Sequence, residues 1–265
     1  MIQRPRALFR NRHLLVEMTR REIADRYAGQ AAGAVWAVAH PLLLMGLYLL
    51  VFRHVFAVRF HDDDGLARDY PTYLMAGLVP WLAMQDVLAR GSDAVLSHGS
   101  YVKQVAFPLG VLPVKRALAS LPVLIAGTAF VLAYQLVVFR SLPPMALLWP
   151  LYLAAFVALS IGITCLLGAL GVYFRDLREV VTVLTAASLF LLPILYLPGH
   201  EPSAVRALIW LNPFSPMIWV HQDLLFHGRV TQPLAWVAFP LIAVALLLAG
   251  RATFQRLSAH FGEVI

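Results

Sequence analysis

Charge is scarce in this chain: only 13% of its 265 residues are Asp, Glu, Lys or Arg, while 60% are hydrophobic and the mean hydropathy is +0.74. So few charged groups cannot cover a soluble surface, which excludes an ordinary globular domain and leaves a polytopic membrane protein. Cysteine is almost missing. Cys165, inside an apolar run, is the only one, so an intramolecular disulfide and a Cys-based metal cluster are both excluded and Cys165 is read as packing. No G-x-x-x-x-G-K-[ST] loop occurs, so the chain cannot cradle ATP phosphates in that way. H-E-x-x-H, G-x-S-x-G and Cys/His clusters are absent too, which disfavours a hydrolase or metalloenzyme. If the chain works in a pump, its motor is another chain. The two dozen residues from Arg4 to Tyr27 are too charged for the apolar region of a cleavable signal peptide, so the first span is expected to act as the signal. There is no internal repeat and no low-complexity tract.

What charge there is lies at the ends of apolar runs. The net charge of +7 invites a nucleic-acid reading, but basic residues so placed are explained more simply by the positive-inside bias of membrane proteins, and no nucleic-acid partner is expected. Residues 1–30 read as an interface helix with a narrow apolar stripe of Phe9, Val16, Ile23 and Tyr27 and with His13, Glu17, Arg20 and Arg21 beside it. Six spans follow, at 31–52, 71–95, 117–139, 145–172, 180–197 and 234–250, with a tail at 251–265. A bilayer core takes about 20 helical residues. Of the 21 Lys and Arg, only Arg53, Arg59, Arg68, Arg140, Arg206 and Arg229 fall on the side opposite the termini. That asymmetry predicts both termini in the cytoplasm. Asp62 to Asp64 form an acidic outer loop. Ala158, Gly162, Gly168 and Gly171 would let the fourth span approach its neighbours closely.

The turn Arg175, Asp176, Arg178 and Glu179 pins the start of span five at an aqueous face, because these side chains are costly in hydrocarbon. Pro193 and Pro198 kink or end that span. Residues 198–231, broken by Pro202, Asn212, Pro213 and Pro216, are too interrupted to cross and are expected to form a re-entrant helical hairpin in the outer leaflet. There Leu208, Leu211 and Ile218 should be shielded and Ser215 accessible, and Asn212 could satisfy backbone groups freed by the prolines. Asp86 and Arg90, one helical turn apart with the acid first, read as a structural pair. His40 and the run His221, Gln222, Asp223 could either line a water-filled route or be satisfied polar groups within a bundle. The loop 97–116 holds Lys103, Phe107, Pro108 and Leu109, an aromatic and aliphatic plug beside a cation that a groove on a partner would accept. Arg20, Arg21 and Arg26, with Tyr27, could meet a diphosphate, since guanidinium forks pair with phosphate oxygens at two points; plain interface anchoring explains them equally well. Tyr48, Trp81, Tyr196, Trp210 and Phe214 lie near predicted span ends, and together with Asn212 could border a sugar path, though aromatic belts facing lipid account for most such residues.

These features occur in a particular order: REIADRYAGQ before a Trp- and Pro-containing first span, FPL after the second, FRDLRE before a Pro-ended fifth, then LNPFSP. The order resembles the ABC-2 type permease family, and within it the channel-forming subunits of exporters for O-antigen, teichoic-acid and capsular polysaccharides. The resemblance implies an all-α, six-span fold of the type V exporter kind. It implies a homodimer with two copies of a separate ABC ATPase that binds ATP and Mg, a coupling helix in the loop 97–116, and a polyprenyl-diphosphate-linked polysaccharide as cargo. No cofactor is expected in this chain. An ABC-2 exporter of drugs or small lipids is the alternative. A membrane glycosyltransferase would need paired carboxylates at a membrane face, and an ion channel would need no motor.

Overall fold

The computed structural model describes residues 12–52, 69–98, 108–174, 176–196 and 203–264, which are helical with no strand among them. Helix α1 is Arg12–Asp25, α2 Trp36–Leu50, α3 Tyr70–Gly91, α4 Val111–Leu118, α5 Leu121–Phe139, α6 Trp149–Tyr173, α7 Leu177–Ser188, α8 Ser203–Leu211, α9 Ser215–Gln222, α10 Pro233–Leu257 and α11 Phe261–Val264. Among the described residues three continuous helical stretches are long and apolar enough to cross a membrane, Val111–Phe139, Pro144–Tyr173 and Pro233–His260, and Trp36–Leu50 is a shorter apolar helix.

Helix α3 is the centre of the bundle, with every residue from Tyr70 to Trp81 buried. Its start is set by Asp69, whose carboxylate accepts from the Thr72 amide at 3.2 Å and from the Tyr134 hydroxyl at 2.6 Å. This is an N-cap whose second oxygen also ties α3 to α5. One large core, including Trp81, Tyr73, Phe156, Met84 and Phe239, runs through α3, α5, α6, α9 and α10. A smaller cluster of Val95, Cys165, Ala169, Val172, Phe254 and Phe261 closes the end of the bundle where α3 and α10 finish. Cys165 is buried there as a free thiol.

The α6–α10 contact depends on small residues. A Cβ on Gly162 would press into the backbone of Leu246, and one on Gly250 would overlap the Gly162 carbonyl. A Cβ on Gly171 would likewise overlap the Ser92 carbonyl. Backbones this close give dispersion contacts without needing a hydrophobic drive between helices.

Two helix ends and the accessibility of one segment differ from those expected. The fifth apolar segment does not run over 180–197: α7 continues as a 3₁₀ turn through Leu191 and stops before Pro193. Fifteen residues reach about 22 Å at 1.5 Å per residue, less than the roughly 30 Å of a hydrocarbon core. The sixth helix does not stop at residue 250 but runs to Leu257, so the expected tail begins as helix. The segment after α7 holds α8, α9 and a π-helical turn at Asp223–His227. In it Leu208 and Leu211 are exposed, while Ser215 and Ile218 are fully buried. The expected accessibility of Ser215 is therefore overturned: its hydroxyl donates to the Ile209 carbonyl at 2.6 Å, folding α9 back onto α8.

Candidate functional site

Two polar constructions lie at opposite ends of the bundle. At the end where α3 finishes and α4 begins, α1 docks through ion pairs. Glu22 is 8% exposed. Its carboxylate meets Lys115 Nζ at 2.9 Å and the Arg116 guanidinium. Lys115 Nζ also lies 2.8 Å from His98 Nε2. An ammonium can only donate, so Nε2 is the acceptor and the imidazole proton sits on Nδ1, 2.9 Å from Ser97 Oγ. Ser97 Oγ in turn accepts from Arg116 Nη2 at 2.9 Å and donates to the Asp93 carbonyl at 2.7 Å. Glu22, Lys115, His98, Ser97 and Arg116 thus close a ring.

Burial alone would raise the Glu22 carboxyl, but the Lys115 hydrogen bond and the charges of Arg116, Lys115 and Arg26 outweigh it and hold the group below its usual range. Burial pushes His98 below the usual imidazole range, and the Lys115 and Arg116 charges add to this. Beside the ring, Arg26 Nη1 meets Asp86 Oδ2 at 2.8 Å with its side chain 6% exposed, and Arg90 Nε takes the other Asp86 oxygen at 2.8 Å. The i,i+4 pair expected of Asp86 and Arg90 is thus made, with Arg26 as a third member. Nε and Nη2 of Arg26 and Nε of Arg116 are buried without hydrogen-bond partners among the described residues.

At the other end most of the polar contacts run from neutral side-chain donors to backbone carbonyls, with the carboxylate of Asp223 as the exception. Pro80 has no N–H to give to the Ala76 carbonyl one turn earlier, and His221 Nδ1 takes that place at 2.6 Å. Its Nε2 faces Thr128 Oγ1 at 3.3 Å. The stretch after α7 is not helical, so its carbonyls also need donors. Asn212 Nδ2 reaches Leu191 O at 3.3 Å, Gln222 Nε2 reaches Pro193 O at 2.8 Å, the Tyr70 hydroxyl reaches Leu195 O at 2.8 Å and the Tyr73 hydroxyl Tyr196 O at 2.8 Å. Asn212 Oδ1 also accepts from the Phe214 amide at 3.0 Å. Gly77 makes room for this arrangement, since a Cβ there would sit 2.7 Å from Gln222 Nε2. The fully buried Asp223 accepts from Thr231 N at 3.0 Å and Trp236 Nε1 at 2.8 Å. His221, Gln222 and Asp223 are therefore satisfied groups inside the bundle, not the lining of a wet route.

Of the expected coupling residues, Lys103 and Phe107 lie outside the described residues, and Pro108 and Leu109 are half-buried just before α4. Arg175 and Asp62 to Asp64 also lie outside them. Asp176, Arg178 and Glu179 are exposed at the start of α7. On α1, Arg20 is exposed and Arg21 pairs with Glu17 at 3.0 Å on the surface. Tyr27 is partly buried. Arg26 departs from the expected diphosphate group, because Asp86 already holds it in a buried pair. Trp81, expected near a path, is fully buried against Phe214 at 5.7 Å between ring centroids. Tyr48 stacks on Phe52 at 6.3 Å, Trp210 meets Trp219 at 4.6 Å, and Tyr196 is half-buried.

Sequence reasoning missed Glu22, Ser97, His98, Tyr70 and Tyr73. The signal for the tyrosines was present: a chain broken by Pro193 leaves carbonyls that need donors. For Glu22 the signal was an acid between basic residues on α1.

The pattern of the family described as ABC-2 type transporter matches residues 13–226. That range contains the whole ring and nearly all of the carbonyl-capturing set. The chain is 26% identical to the O-antigen export system permease protein RfbA of Myxococcus xanthus over the full length of both chains. It is 25% identical to two proteins of the same name from Klebsiella pneumoniae, over 95% of each chain.

Proposed function

Because the chain belongs to the ABC-2 type transporter family, we propose that it is the membrane subunit of an exporter that moves a polyprenyl-diphosphate-linked polysaccharide, of the O-antigen kind, out of the cytoplasm. The single observation that carries this reading is the match with an O-antigen export permease along the length of both chains. ATP is hydrolysed on a separate subunit, in keeping with the missing phosphate-binding loop. Two copies of this chain form the channel and two ATPase subunits dock on it.

The end carrying the ion pairs faces the cytoplasm, where Lys103, Phe107, Pro108 and Leu109 form the plug that seats in the ATPase. Arg20 and Arg21, on the surface of the N-terminal segment, and the partly buried Tyr27 meet the diphosphate. The carbonyl-capturing end lies toward the outer leaflet, where the hairpin borders the exit with Tyr196, Trp210, Asn212 and Phe214, and Tyr48 near the path. All six expected segments take part in the membrane domain, including the short α7.

Deleting the gene tests the assignment. Loss of long-chain surface polysaccharide together with build-up of the lipid-linked polymer inside the cell is the expected result. Normal surface polysaccharide with altered resistance to drugs would point instead to an exporter of small amphiphiles. Phe107→Ala is expected to leave the chain inserted and to weaken ATPase binding about 30-fold or more, in line with the roughly 2 kcal/mol or more carried by an aromatic anchor in a groove.

A further inference from the structure

The loop 97–116 has two stems, and one short N-terminal segment holds both. From α1 and the turn after it, Glu22 binds Lys115 and Arg116 on the stem that leads into α5, and Arg26 binds Asp86 on the helix that leads into the loop. The ring through His98 and Ser97 then joins the two stems to each other. Other charges nearby are Arg90 and Asp93 on the first stem; Glu17, Arg20, Arg21 and Asp25, also on α1, are exposed.

Glu22 is the only acid within salt-bridge reach of either Lys115 or Arg116 among the described residues. The Lys115 and Arg116 side chains are 4% and 10% exposed. The loop stems therefore cannot move away from α1 without leaving buried cations uncompensated, a cost large enough to make them move together.

We propose that Glu22 is a positioning residue for transport: it locks the N-terminal helix to both stems of the loop, so that a displacement delivered to the loop moves α1, α3 and α5 as one body. This rests on the reading of the loop as the ATPase contact. Glu22 touches neither nucleotide nor cargo. Its effect is on how much transport each ATP hydrolysis produces.

The test reconstitutes the chain with its ATPase subunit in vesicles loaded with lipid-linked polysaccharide, and measures ATP hydrolysis and export in the same preparation. Glu22→Gln keeps the size of the side chain and removes its charge. The expected result is ATPase copurification and hydrolysis within about twofold of the parent, with polymer exported per ATP at least about tenfold lower. Glu17→Gln, on the exposed face of the same helix, should leave that ratio unchanged. A role in stability alone would lower assembled complex, hydrolysis and export in proportion, leaving export per ATP as in the parent, and that result would overturn the proposal. If Glu22→Gln fails to accumulate, Glu22→Asp keeps the charge and shortens the reach. A smaller fall in the same ratio supports the proposal, and an unchanged ratio rejects it. Absence of ATP-dependent export by the parent would instead reject the functional reading beneath it.

Discussion

The two ends of this bundle solve the same problem, polar groups away from water, with different chemistry. At one end, full charges are buried and compensated by full charges: Glu22 with Lys115 and Arg116, Asp86 with Arg26 and Arg90. At the other, carbonyls left over by Pro80 and by the break after α7 are met by neutral donors from His221, Asn212, Gln222, Tyr70 and Tyr73. The difference is one of scale. Breaking a buried pair strands a charge and costs about 3–5 kcal/mol, whereas one neutral hydrogen bond contributes about 1 kcal/mol net. The first end is therefore costly to take apart, and the second is held by bonds that are individually weak.

The sharpest way to break the comparison is by sidedness, where the outcome is all or none. Val230, exposed beside the neutral end, and Ala259, exposed beyond α10 at the charged end, should label from opposite sides of the membrane when replaced by Cys. Val230→Cys should react with an impermeant thiol reagent in intact cells and Ala259→Cys only after lysis; labelling of both from outside would dismantle the two-ended picture. Next in size is Glu22→Leu. It strands two buried cations and should lower unfolding stability in detergent by about 3–5 kcal/mol, and adding Lys115→Met and Arg116→Met should return most of it. The corresponding change at the neutral end, Gln222→Met, should cost only about 1 kcal/mol, since the Tyr73 hydroxyl lies 3.2 Å from the same Pro193 carbonyl. Equal losses at the two ends would show that the distinction is false. Asn212→Leu should reduce export with little loss of insertion, because it removes partners from Leu191 O and Phe214 N together, while Trp210→Phe should be mild; pulse-labelled insertion and surface polymer measure the two effects.

The smallest expected effect is that of pH. His98 is held below its ordinary imidazole range, so on acidification the unfolded chain takes up the proton first and the folded chain loses stability. The loss begins as pH falls through the unfolded value of about 6.5. Glu22 adds to it only at lower pH, as its depressed carboxyl is protonated in turn. His98→Gln should flatten the near-neutral part of a melting-temperature profile and leave the acidic part; an unchanged profile would show that burial and the neighbouring cations do not hold His98 below its ordinary range.

Features set by local spacing were legible in the sequence. Asp86 and Arg90 sit one turn apart on a helix, the prolines mark the end of α7, and Asn212 beside Pro213 is a natural partner for freed backbone groups. The small residues of α6 were legible as a packing face, although not that Gly162 would meet Gly250. What could not be read depends on pairing between distant segments. Glu22 finds Lys115 and Arg116 more than ninety residues away, and His221 finds the carbonyl vacated by Pro80 only once α9 is folded into the core. Arg26 could be read as a phosphate ligand because nothing in the sequence pairs it with Asp86, sixty residues away. The ends of α7 and α10 were misplaced because hydropathy marks where apolar residues stop, whereas a helix stops where its backbone bonds do.

The central claim is that this chain is a passage worked by a motor it does not contain, and reconstitution tests it most directly. Purified chain and its ATPase subunit are placed in vesicles with lipid-linked polysaccharide, and polymer reaching the opposite side is measured with ATP, without ATP, and with an ATPase subunit unable to hydrolyse it. Polymer is expected to cross only with ATP and an active ATPase. Equal crossing in all three conditions, or none in any of them although both proteins are assembled, would contradict the account.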